Sequence, residues 1–87
     1  MFNYKDKAGY TFTVSSCGYL DWGVQISAPA GEILLDNPCI LSAECYGEDE
    51  LSDPEFLKDL AEEMIEECFM IYMQENMVKI PSPSSFV

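Results

Sequence analysis

The chain has 87 residues, enough for one domain with a thin core, and its 48% hydrophobic and 13% aromatic content excludes wholesale disorder. Sixteen acids face four bases and no histidine, a net charge of −12 that disfavours nucleic acid and anionic membrane as direct partners.

Tyr10-Thr11-Phe12-Thr13-Val14-Ser15 alternates large apolar with small polar residues, the pattern of a strand with one wet face. Cys17-Gly18-Tyr19-Leu20-Asp21 reads as the reversal after it. A second strand then runs from Trp22 to Ala28, with Trp22, Val24, Ile26 and Ala28 toward the core. Pro29-Ala30-Gly31-Glu32 is a turn signal. Ile33-Leu34-Leu35 reads as a short third strand, stopped by Asp36-Asn37-Pro38. Cys39 to Cys45 is either a fourth strand or a bulged continuation of the third, with Cys39, Leu41, Ala43 and Cys45 on one face.

Gly47-Glu48-Asp49-Glu50 reads as a polar loop. Ser52-Asp53-Pro54-Glu55 opens a helix, with Ser52 as its cap and the Glu55 carboxylate returning to the Ser52 amide. The helix is expected to reach about Asn76, with Leu57, Leu60, Ala61, Met64, Ile65, Cys68, Ile71 and Tyr72 as its core stripe. Asp59, Glu62, Glu63, Glu66 and Glu67 then form the back. Like charges one turn apart there cost a few tenths of a kcal/mol, roughly 0.2–0.5 per pair. Beyond Glu67 the helix is apolar nearly all round, and Phe69, Met70 and Met73 need a cover or form an exposed patch. The expected architecture is α+β: an antiparallel three- or four-stranded sheet packed against one C-terminal amphipathic helix. Residues 1–80 form the single domain, and 81–87 a mobile tail. Val78 and Ile80 could make a short edge strand before that tail.

No signal-like apolar run opens the chain. The longest apolar cluster, Cys68 to Met73, is far too short to span a bilayer. A cytoplasmic location is expected. Cys17, Cys39, Cys45 and Cys68 have no CxxC spacing, so no zinc site is expected. Nothing announces an oxidising compartment, so the four read as buried thiols acting as small hydrophobes rather than as disulfides.

No catalytic residue, cofactor site or metal site is expected. The carboxylates lie on a helix back or in a polar loop, not in a dry pocket. Glu48-Asp49-Glu50 with Asp53 lacks the ligand order of a calcium loop. Without histidine no base stands ready for a cysteine nucleophile, and Glu66 and Glu67 should raise the Cys68 pKa. The chain is therefore read as a non-enzyme.

Eleven of the sixteen acids fall between Glu44 and Glu67, against Lys58 alone, a net of −10 over that stretch. Seven of them lie from Asp53 to Glu67, about 21 Å of helix at ~1.5 Å per residue. That is roughly one charge per 3 Å, against ~3.4 Å for a single nucleic-acid strand. The plain alternative is a solvated face that keeps a small protein soluble. In charge and size alone, the chain is similar to small acidic inhibitors of nucleic-acid-processing enzymes. The expected site comprises Glu44, Glu48, Asp49, Glu50, Asp59, Glu62, Glu63, Glu66 and Glu67, presented to a basic protein surface such as that of a nuclease. The alternative is an interaction module or homodimer using Phe69, Met70 and Met73. Tyr10 and Tyr72 are expected in the core. Tyr19 and Tyr46 are either anchors for a partner or wedges at the sheet end. Phe86 and Val87 offer a weaker peptide-like end.

Overall fold

The computed structural model describes residues 1–17, 21–76 and 80–84. Four strands form one antiparallel sheet in sequential order: β1 Phe2–Lys5, β2 Thr11–Ser16, β3 Asp21–Ser27 and β4 Ile33–Ser42. A single-turn helix, α1 Glu48–Leu51, and a long helix, α2 Pro54–Asn76, follow. The expected sheet with one long C-terminal helix is the observed architecture.

The alternation read from the sequence sets the faces. Phe12 pairs with Ile26 and Val14 with Val24, so four buried side chains point to one side. Phe2 and Tyr4 of β1 pair with Val14 and Phe12 and join that side. Leu57, Ala61 and Ile65 of α2 are buried in the same core cluster, with Leu60, Met64, Cys68 and Tyr72 partly buried around them. The other sheet face carries Asn3, Thr11, Thr13 and Ser27, joined by Thr13 donating to Asn3 and by a Thr11–Ser27 hydroxyl contact. It is the wet face predicted from the Thr and Ser alternation.

β1 is absent from the sequence-based expectation. Four residues give only two periods of alternation, too few to distinguish a strand. Its partnership with β2 is closed by the Asp6–Gly9 turn, in which Gly9 takes a φ of 101°. Residues 33–42 are one strand, so the Asp36-Asn37-Pro38 stop does not hold and the bulged continuation is the form adopted. The register jumps from Val24↔Asn37 to Trp22↔Leu41, leaving Pro38, Cys39 and Ile40 opposite Gly23. A Cβ on Gly23 would stand 2.7 Å from the Pro38 carbonyl oxygen, so only glycine admits this bulge. The Asn37 side chain accepts from the Cys39 amide at 3.0 Å and replaces a lost ladder bond.

The bulge corrects the reading of the cysteines. Cys39 lies off the core and forms a disulfide with Cys17, Cα–Cα 5.8 Å apart. Cys45 is exposed, in the turn after β4, rather than aligned with Leu41 on a core face. Cys68 is the partly buried thiol that was expected. Burial, and then Glu67, raise its pKa.

The α2 cap is also different. Asp53, not Ser52, accepts from the Glu55 amide at 3.0 Å. Ser52 instead ends α1 and donates its hydroxyl to the Glu48 carbonyl at 2.7 Å. The expected polar loop is thus partly helical, because Leu51 supplies a fully buried anchor that pulls residues 48–51 onto the core.

Ile80 belongs to the domain as expected, and residues 81–84 of the expected mobile tail are anchored to it. Ile80 and Pro83 are buried. The Tyr10 hydroxyl donates to the Pro81 carbonyl. The Asp6 carboxylate accepts from the Tyr10 amide at 2.8 Å and from the Ser84 amide at 3.2 Å. One buried acid therefore holds both the β1–β2 turn and the C-terminal segment. Tyr19, Val78, Phe86 and Val87 lie outside the described residues.

Candidate functional site: the acidic face of α1 and α2

Glu44, Glu48, Asp49 and Glu50 are all exposed, the first in the turn after β4 and the others on α1. That turn is held by Ser42, whose carbonyl accepts from the Cys45 and Tyr46 amides and whose hydroxyl accepts from the Glu44 amide. Asp59, Glu63 and Glu67 are exposed on α2. Among the described residues no ion pair neutralises any of these carboxylates.

Glu62 departs from the expected back face. It lies about 100° round the helix from Ala61, at the flank of the core stripe. There it accepts a hydrogen bond from the Tyr4 hydroxyl at 3.0 Å. Desolvation, then that bond to Glu62, then the charges of Glu62 and Asp6 push the Tyr4 phenol up to about 12. Glu66 is half-buried, between this flank and the open back. A groove of about 540 Å³ beside the Tyr4–Glu62 pair is lined also by Lys7, Ala8, Lys58 and Ser84. It combines opposite charges and presents no single-sign surface.

The apolar residues past Glu67 divide. Phe69 packs edge-on against Tyr10, ring centroids 6.5 Å apart, and Met73 also packs against the core. Met70 is 50% exposed, and Ile71, expected in the core stripe, is 48% exposed. The expected patch of Phe69, Met70 and Met73 therefore does not exist as a set. A different one, Met70 with Ile71, lies in a shallow groove of about 520 Å³ with Glu63, Glu66 and Glu67. Sequence periodicity misses it because Ile71 falls at the margin of the stripe, where the sheet beneath decides burial.

Tyr46 serves as a wedge. Its ring packs near Phe56, centroids 6.3 Å apart, and its carbonyl accepts from the Trp22 indole at 2.8 Å. Among the described residues no group of three or more acids or cysteines is arranged to hold a metal ion. No described helix is long and apolar enough to cross a membrane. No protein-family model, curated protein sequence or solved structure matches this chain.

Proposed function

We propose that the chain is a small, non-catalytic acidic binding protein that occupies a basic surface of a partner protein, as an inhibitor or nucleic-acid mimic directed at a nucleic-acid-processing enzyme. The observation that carries this reading is the exposed run Glu44, Glu48, Asp49, Glu50, Asp59, Glu63 and Glu67, unneutralised among the described residues. A face needed only for solubility works as well with both signs interspersed. One sign concentrated on two adjoining elements repels itself, and a cationic surface relieves that repulsion.

A cytoplasmic location belongs to the same proposal. It implies that Cys17 and Cys39 are thiols in the cell and bond on exposure to oxidant. The test is competition. A basic nucleic-acid enzyme bound to labelled duplex should lose that duplex to the wild-type protein at low salt, and keep it against E63K/E66K/E67K. Equal displacement by both proteins, or none by either, would count against the reading. Glu62 is left out of the reversal because its bond to Tyr4 ties it to the fold.

A further inference from the structure

We propose that the groove formed by Glu63, Glu66, Glu67, Met70 and Ile71 docks a cationic amphipathic helical segment of the partner protein. This rests on the reading above and deepens it, since a phosphate-like mimic needs charge alone while this groove also offers an apolar floor. The five residues follow the spacing i, i+3, i+4, i+7, i+8, one stripe on a single helix face. A second helix packs along such a stripe with its own ridge in the groove.

The chemistry runs along the axis. Carboxylates fill the N-terminal half of the stripe, and two half-exposed apolar side chains fill the C-terminal half. The complementary segment carries lysine or arginine toward Glu63–Glu67 and one or two large apolar residues toward Met70 and Ile71. A second copy of the chain is a poor occupant, because each copy carries a net charge of −12 and repels the other. Nucleic acid and anionic lipid are repelled for the same reason.

The test uses two fluorescent peptides of about 18 residues, long enough for ~27 Å of helix. One sets lysine and leucine in an amphipathic pattern. The other has the same composition scrambled so that no apolar face forms. The patterned peptide is expected to bind wild-type protein about tenfold or more tightly than the scramble, as burial of two large apolar side chains allows. M70S/I71S should erase that difference while leaving the scramble's affinity unchanged. E63K/E66K/E67K should abolish binding of both. Circular dichroism confirms that each variant keeps its fold. Equal affinity for the two peptides, or a preference that survives M70S/I71S, overturns the groove. If the scramble still binds and is lost on charge reversal, the acidic-face reading survives without it. If neither peptide binds, both fail.

Discussion

The Tyr4 hydroxyl and the Glu62 carboxylate are joined at 3.0 Å across the seam between β1 and α2. The bond turns one member of the acidic series inward and links the edge strand to the helix. Removing it with Tyr4→Phe should cost about 0.5–1.5 kcal/mol of stability, the usual range for one intramolecular hydrogen bond. Denaturant unfolding measures this. Affinity for a basic partner should be unchanged, because Glu62 is not among the carboxylates assigned to the interface.

Tyr4 and Tyr10 also set the alkaline limit. Both phenols are pushed from 10.0 up to about 12 in the fold, with burial the first cause in each and nearby carboxylates adding to it. The folded state therefore favours the neutral phenol. That contribution is complete below pH 10, falls as pH rises from about 10 to 12, and is gone above. Unfolding midpoints should drop across that window and hold steady from pH 7 to 9. Tyr10→Phe should flatten the drop. A midpoint indifferent to pH between 10 and 12 would contradict the burial of Tyr10 and the partial burial of Tyr4.

Asp6 ties the first turn to the end of the described chain. Asp6→Ala leaves the Tyr10 and Ser84 amides without their acceptor and should cost about 1–3 kcal/mol. It should also open the 80–84 segment to proteolysis before the sheet unfolds, a difference that limited digestion resolves. Asp6→Asn keeps one acceptor oxygen and should lie between the two.

Gly23 and the Cys17–Cys39 bond form one unit. Gly23→Ala places a methyl against the Pro38 carbonyl and should destabilise the fold by about 1–3 kcal/mol. It should also slow oxidation of the pair, because the bulge is what carries Cys39 across β3 to Cys17. Cys17→Ser/Cys39→Ser should lower stability by about 3 kcal/mol under oxidising conditions and by nothing under reducing ones. Thiol counting checks the pairing: two reactive thiols, Cys45 and Cys68, before reduction and four after.

Local patterns carried the fold a long way. Tyr10, Phe12, Val14, Val24, Ile26 and Ala28 are buried as their alternation implies, and among the described residues α2 reaches Asn76, in line with its periodicity. What escaped depends on contacts distant in sequence. The disulfide needs the Gly23 bulge, which no spacing between cysteines encodes. Asp6 holds Ser84 across most of the chain, so its partner cannot be read from its neighbours. The acidic residues were legible as charge, and Asp59, Glu63 and Glu67 as a solvent-facing back, but the inward turn of Glu62 was not. Glu62 sits at the stripe's flank, and the position of Tyr4 beneath it decides its direction. Phe69 and Ile71 exchange their expected surroundings for the same reason: the sheet covers one flank of the helix end and leaves the other open.

The most direct measurement compares capture by the wild-type protein and by E63K/E66K/E67K from nucleic-acid-depleted lysate of the source cells, at low salt, with elution by a salt gradient and identification by mass. The account predicts a basic nucleic-acid-processing protein that the wild type retains, that salt releases, and that the variant fails to hold. Identical captured proteins from the two columns, or a partner indifferent to both salt and charge reversal, would contradict the central role of the acidic face.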